Sequence, residues 1–292
     1  MREFGFEQPM TVEDAVVLMN SVGARALAGG TDLVPQMREG RRSVDRVVDL
    51  KRIAALTGIT DLPDGGLSIG AAASAASIAK HPRVRKDYPA IASSVRLIGS
   101  LQVQNRASLG GNICNAAPSA DAIPAVLCYR ARAIIAGPSG RRVIAMEDLF
   151  QGPGRTTLAQ GEILTSIDLP APAPGSAAHY LRFTPRREMD IAIAGAGTWI
   201  RLGKDQRITE AQIYLASVGP TPIKASSAEQ SLIGKAASLD VLKEAGRRAA
   251  EDARPISDTR GSADYRRSLV TTLTVRALGV CCRSLGLEVE TP

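Results

Sequence analysis

Two segments of the chain set paired glycines beside small polar residues: AGGTDL at 28–33, and SLGGN at 108–112 inside the longer run ASLGGNICNAAPSAD at 107–121. Glycine accepts positive φ and lets a ligand approach the backbone with no Cβ between them. Successive N–H groups in such turns form concavities that hold anions, and the start of a helix aims further free N–H groups the same way. The residues after the first glycine pair begin a helical stretch, so that segment combines both features. Thr31, Asp32, Ser108 and Asn112 add side-chain hydrogen-bonding groups. Two loops of this kind, brought face to face by tertiary structure, suit a diphosphate with its two negative charges. Each loop alone also reads as an ordinary two-glycine turn. Neither contains the GxGxxG of dinucleotide-binding βαβ units or the GxxxxGK[ST] of P-loops, which disfavours both of those simple assignments.

Cys114, between the second glycine pair and Asp121, raises the alternative of a metal site. The chain has four cysteines, Cys114, Cys128, Cys281 and Cys282, with no CxxC, and its two histidines are His81 and His179. That set lacks the ligand spacing of a zinc site or an iron–sulfur cluster, so reduced thiols in the cytoplasm are expected. Cys114 reads as a structural thiol. Among 292 residues, 45% are hydrophobic, 22% charged and only 3% aromatic, so Ala, Val, Ile and Leu must fill the core. The scarcity of aromatics argues against stacking on single-stranded nucleic acid. The net charge of +7 is spread over short basic pairs such as Arg41–Arg42 and Arg266–Arg267, which reads as a solvated surface. The N-terminal MREFGFEQPM has no apolar core of a secretory signal, and no stretch is long and apolar enough to span a membrane.

The elements that must position the glycines follow from pattern. TVEDAVVLMNSVG is a helix with Thr11 as N-cap, ARAL a buried strand feeding Gly29–Gly30, TDLVPQMREG a short helix, and VDRVVDL and GLSIGAAAS two more strands. Residues 74–99 are helical, interrupted by a turn-rich HPRVRKDYP. AIPAVLC is a small helix and ARAIIAG a strand that turns back through AGPSGRR. QGPGRTTL is a loop, EILTSIDLP an alternating strand, and APAPGSAA within 171–178 the linker. Beyond it HYLRFTP, AIAGAGTWIRL and RITEAQIYLASVG form a three-stranded meander, and three helical segments follow. The whole is α+β.

In the order AGGTDL, ASLGGNICNAAPSADAIPAVL, EILTSIDLP and YLRFTPRREMDIAIAG, after an opening P-x-T-x-E-D-A at Pro9, the sequence resembles the FAD-binding medium subunit of molybdenum hydroxylases, the xanthine dehydrogenase and carbon monoxide dehydrogenase group. The resemblance runs nearly end to end. It implies a two-subdomain FAD-binding fold of the vanillyl-alcohol-oxidase (PCMH) type over 1–172, with subdomains at about 1–58 and 59–172. A small domain with a three-stranded antiparallel sheet and helices is implied over 178–285. It places Ala28, Gly29, Gly30, Thr31 and Asp32 on one side of the FAD pyrophosphate, with Leu33 beside them, and Ser108, Leu109, Gly110, Gly111 and Asn112 on the other. Asp121 matches an aspartate that contacts the polar part of the cofactor, although by its place in the chain it also reads as an N-cap. Ile98 falls against the flavin ring, Leu164 at a backbone contact, and Arg182 at a basic position near the isoalloxazine, where a cation suits the charge of reduced flavin. Read without the resemblance, Ile98 and Leu164 are core residues and Arg182 lies on a strand surface. Asp190 and Ile191 fall in a segment that approaches the flavin in relatives.

The resemblance further implies that the molybdopterin and two [2Fe–2S] clusters sit on a large and a small partner subunit, in a dimer of heterotrimers. Electrons would pass from the clusters through FAD to a terminal acceptor. The chain lacks the cysteine-rich insert of 4-hydroxybenzoyl-CoA reductases, and its first loop is GGTDL where carbon monoxide dehydrogenases carry GGHSL. The second difference argues against carbon monoxide as substrate without naming another. A stand-alone FAD oxidase of the same fold is the competing reading, and it needs a larger substrate domain and a base near the ring.

Overall fold

The computed structural model describes residues 2–291. The first layer holds β1 (Gly5–Glu7), α1 (Val12–Met19), β2 (Ala24–Leu27), α2 (Leu33–Arg38) and β3 (Arg46–Asp49), with the strands in the order β1-β3-β2 and parallel throughout. Thr11 caps α1: its Oγ1 accepts from Asp14 N at 3.1 Å, which satisfies one of the donors a helix start leaves free. Val12, Ala15 and Val16 then fall on one helix face and are buried. The turn into β2 uses Gly23 at φ +75°, where a Cβ would lie 2.1 Å from an Asp45 carboxylate oxygen.

After α3 (Ala54–Thr57), the strands β4 (Ile59–Asp61) and β5 (Leu67–Gly70) open a second sheet. Five helices follow: α4 (Ala75–Lys80), α5 (Pro82–Asp87), α6 (Pro89–Ser94), α7 (Leu101–Gln104) and α8 (Leu109–Asn115). The sequence HPRVRKDYP, expected as a turn, is mostly helix α5. Pro82 and Pro89 stand at the first turns of α5 and α6, where the missing N–H costs nothing. They restart helices instead of ending them. A second correction concerns SLGGN, expected as a loop. Ser108 is the N-cap of α8, with its Oγ accepting from Gly111 N at 3.0 Å, and Gly110 and Gly111 are helical.

The helix α9 (Ala122–Cys128) leads to β6 (Arg132–Gly137) and β7 (Gly140–Ala145). The strands β8 (Phe150–Gly152) and β9 (Arg155–Thr156) form a small hairpin where a plain loop was expected, and β10 (Ile163–Leu169) completes the layer. The second sheet has the order β4-β5-β10-β6-β7 and is antiparallel throughout, with a register shift between Leu164 and Ser166 on its central strand. One face is covered by the helices from α4 to α9, giving a continuous apolar core that includes Leu67, Ile78, Ile91, Leu109, Ile123 and Ile167.

The C-terminal part is a meander of β11 (Ser176–Phe183), β12 (Ala194–Leu202) and β13 (Ile208–Ala216), to which a two-residue β14 (Ile223–Lys224) adds a fourth member. The helices α10 (Ser226–Leu232), α11 (Leu239–Asp252) and α12 (Ala263–Ser284) build a separate core with Ile200, Ile213, Leu215, Leu242 and Leu278. The other face of this sheet meets α9, all seven residues of which are buried. The approach depends on Gly197 of β12, where a Cβ would lie 3.0 Å from the backbone and side chain of Pro124. Replacing Gly197 with Val should therefore push helix and sheet apart and lower stability by about 1–3 kcal/mol, the usual range for an overpacked contact, measured by urea unfolding of the full chain.

Candidate cofactor site

The two glycine segments meet. The loop at 28–30 lies directly on the turn before α8, and a Cβ on Gly29 would come within 2.0 Å of the Arg106 carbonyl oxygen and 2.8 Å of Ala107 Cα. Gly30 holds φ +75°, so the chain turns away from β2 into α2. Around this junction runs a cleft of about 570 Å³ between the first layer, α8 and the start of β10. Its lining includes Ala28, Gly29, Gly30, Thr31, Asp32, Leu33, Ile98, Ser108, Gly110, Gly111, Asn112 and Leu164, twelve of the residues singled out from the sequence.

The two sides of the cleft are chemically unequal. Along 29–33 the backbone N–H groups donate to no acceptor among the described residues, the first bond of α2 being Val34 N to Gly30 O at 3.1 Å. Lys51 steadies the start of this loop: its Nζ donates to Ala28 O at 2.7 Å and to Asp49 Oδ1 at 2.5 Å. Burial alone would raise the Asp49 carboxyl, but the hydrogen bonds from Lys51 and Gln8 hold it below the ordinary carboxylate range. On the α8 side the amides of residues 109–112 are already used. Leu109 N donates to Ala73 O, Gly110 N to Ala71 O, Gly111 N to Ser108 Oγ and Asn112 N to Ser108 O. The expectation of two matching rows of free amides is therefore corrected: one row is free, and the other is spent on the turn after β5 and on the Ser108 cap of α8. A Cβ on Gly110 would lie 2.5 Å from Ala71 O, so this glycine serves helix packing.

What the α8 side presents instead is a side chain. Asn112 Oδ1 is buried with no hydrogen-bond partner among the described residues, a state that costs about 1–3 kcal/mol unless something bound in the cleft donates to it. Asp32 also faces the cleft, and burial raises its carboxyl above the ordinary value. The free amide row, the glycine cradle and the orphaned amide oxygen fit a ligand that carries both anionic and hydroxyl or amide groups. Ile98 and Leu164 give the same cleft an apolar stretch. Cys114 lines the wall, but burial pushes its thiol up to about 12, so it offers no thiolate.

Four of the residues singled out from the sequence do not line this cleft. Leu109 is fully buried in the second core. Ile191 is 46% exposed, in a loop whose Met189 N donates to Gly99 O beside Ile98. Asp121 and Arg182 are turned toward each other. They form a buried ion pair, and Tyr180 Oη donates to Asp121 at 2.8 Å. Asp121 stands at the N-cap position of α9 yet makes no side-chain cap bond. Burial raises its carboxyl to about 6, against the opposing pull of Arg182 and Tyr180. Sequence reasoning missed Gln36 and Asn115, in contact at 3.4 Å between α2 and α8, along with Arg42, Gln151, Arg155 and Gln160. These are single polar letters in short loops, helices or strands, and no motif marks them.

A cleft lined by unpartnered amides and by the aliphatic side chains of Ile98 and Leu164 is the build of a protein that binds a nucleotide-type cofactor. The comparisons with known proteins make this particular. Residues 2–172 match the family described as the FAD binding domain in molybdopterin dehydrogenase, and residues 179–280 match the CO dehydrogenase flavoprotein C-terminal domain. A putative xanthine dehydrogenase FAD-binding subunit of Escherichia coli is 30% identical over 98% of both chains. The carbon monoxide dehydrogenase medium chain of Hydrogenophaga pseudoflava is 30% identical over 94% of this chain and 96% of its own length. A solved carbon monoxide dehydrogenase from that organism superposes with a TM-score of 0.92 at 30% identity, covering 97% of this chain and 98% of the other. A quinoline 2-oxidoreductase from Pseudomonas putida superposes with a TM-score of 0.91 at 27% identity over 97% and 98%. The chain belongs to the FAD-binding medium-subunit family of the molybdopterin dehydrogenases, and as such it is an FAD-carrying component of an oxidoreductase.

The buried ion pair gives a direct test of its cost. Arg182→Leu leaves Asp121 buried without its cation and should destabilise the chain by about 3–5 kcal/mol at pH 8. Because burial already raises the Asp121 carboxyl and the substitution raises it further, protonation relieves the penalty as pH falls. The loss should therefore be smaller at pH 5 than at pH 8 in denaturant titrations, and a loss independent of pH would contradict this account.

Proposed function

We propose that this chain is the electron-transfer subunit of a molybdenum-containing hydroxylase, holding FAD in the cleft between its first layer and α8. The observation that carries the reading is the row of unpartnered amides at 29–33 facing the orphaned Asn112 Oδ1 across a glycine-built cleft, in a chain that matches the family over nearly its whole length. Ala28, Gly29, Gly30, Thr31, Asp32 and Leu33 would bind the pyrophosphate from the amide side. Ser108, Gly110, Gly111 and Asn112 shape the opposite wall, and Leu109 anchors that wall in the core. Ile98 and Leu164 would orient the flavin ring by apolar contact. Asp121, Arg182 and Ile191 would act from just outside, the first two by fixing β11 against α9. The division of the chain at 171–178, with subdomains at about 1–58 and 59–172 and a further domain at 178–285, belongs to the same reading.

Bound there, FAD supplies a two-electron store that is filled and emptied in single-electron steps. The chain's own part is to bind, orient and exclude water, and no side chain need act as acid, base or nucleophile. A small subunit with [2Fe–2S] clusters and a large molybdopterin subunit would be the partners, in a dimer of heterotrimers in the cytoplasm. Substrate hydroxylation would take place on the large one. The medium-chain names of the relatives support this assembly.

The full chain, alone or co-expressed with its partners, should release FAD on denaturation and show a flavin absorption spectrum beforehand. Gly29→Ala, which cannot be accommodated without moving the Arg106 backbone, should lower FAD occupancy at least about tenfold, in line with the loss of one or more charge-assisted contacts. Lack of any flavin in both preparations would refute the reading.

A further inference from the structure

The two sides of the cleft differ in how they could meet negative charge, and the difference points to a residue that neither the motifs nor the comparisons assign. The α2 side has free amides. The α8 side keeps only Ser108 N, because the amides of residues 109–112 are all engaged. The carboxylates on the cleft wall make matters worse for an anion, although Glu162 is neutralised by Arg142 through two contacts at 2.7 Å. Three arginines line the cleft, Arg25, Arg42 and Arg155. Arg25 donates to the neighbouring Ala24 O at 2.8 Å. Arg42 follows α2, on the side already supplied with donors. Arg155 alone is carried toward α8.

Its mounting is specific. Arg155 opens β9 and pairs with Gly152 of β8 across a tight hairpin that contains Gly154 at φ +68°. The hairpin is tied to the end of α8 by Gly154 N, which donates to Ala116 O at 3.0 Å. The guanidinium lies over Gly152, where a Cβ would come within 3.2 Å of Nη2, so a side chain there would displace it. The Arg155 side chain makes no hydrogen bond or ion pair among the described residues, although carboxylate partners are common for arginines elsewhere in this chain. An unpaired, forked cation held on a short anchored hairpin beside a wall with no cation of its own is suited to one ligand chemistry, a phosphate group.

We propose that Arg155 binds the diphosphate of the cofactor from the α8 side and supplies the charge that this wall lacks. The inference rests on the proposed FAD site and adds a residue to it. The test uses the full-length chain stripped of cofactor and titrated with FAD by flavin fluorescence, with ADP as competitor and riboflavin as the ligand without phosphate. Arg155→Gln should weaken FAD and ADP binding roughly 10- to 100-fold, the range for one charge-assisted contact, and leave riboflavin unchanged. Arg155→Lys should restore part of the loss. Arg141→Gln, which removes the same charge from a groove outside this cleft, should bind as the wild type does. Wild-type ADP binding should also weaken as salt rises, a measurement that needs no variant. Unchanged FAD and ADP binding in Arg155→Gln, an equal loss for riboflavin, or ADP binding indifferent to salt would each overturn the role of Arg155. Failure of the wild-type chain to bind FAD would instead overturn the site reading on which it rests.

Discussion

The closest backbone approach in the cleft, Gly29 against Arg106 and Ala107, is the constraint on which the site depends. No side chain fits between these segments, so the first layer and the helical face of the second sheet can come within backbone contact. From that point the chain leaves in two directions, through Gly30 into α2 and through Ser108 into α8, and the cleft is the space between them. Everything chemical in it follows from this junction. The amides at 29–33 stay without partners among the described residues on a turn that lines the cleft, and those at 109–112 are consumed by Ala71 and Ala73, on which α8 is seated, and by its cap Ser108. The result is a binding wall with a polar backbone side and a side-chain side.

The sequence showed much of this and hid a definite part. Helix α1 was legible because Thr11 and the spacing of Val12, Ala15 and Val16 all indicate the same element. Long alternating strands such as β10 and β12 were legible from their period. The glycine pairs were visible as pairs, but not their different jobs. Gly29 serves a tertiary contact with a segment almost eighty residues away, and Gly110 serves helix packing; a local pattern carries neither fact. HPRVRKDYP misled because proline ends helices and also begins them, and only the tertiary position of Pro82 decides which. Asp121 was visible as a capping residue or a ligand. The structure shows a third outcome, since its partners Tyr180 and Arg182 come from a strand that no local reading could place beside it.

Buried polarity in this protein is concentrated where layers join. Asp121 with Arg182 and Tyr180 fastens β11 to the start of α9. Arg266 of α12 donates to Ile193 O and Ser217 O and pairs with Asp258, locking the ends of β12 and β13 to the last helix. Lys51 does the same for the loop at Ala28. Each group has little packing value, but each fixes one register between elements that apolar contact alone would let slide. The cleft is thus bordered by positions held by directional bonds, while its own wall keeps donors and an acceptor in reserve.

The helix α9 has a wider consequence. It follows the cofactor helix in the chain, yet both its faces are covered, one by its own core and the other by β12 and β13. Two segments that sequence families describe separately thus share the burial of one helix. A polypeptide ending at the 171–178 linker would leave Pro124 and its neighbours facing water, an exposed aliphatic surface of the kind that drives self-association. On the ribosome, the N-terminal part must wait for the last hundred residues before its most apolar helix is covered. In that interval the order of synthesis leaves an aliphatic face open to contact with other chains.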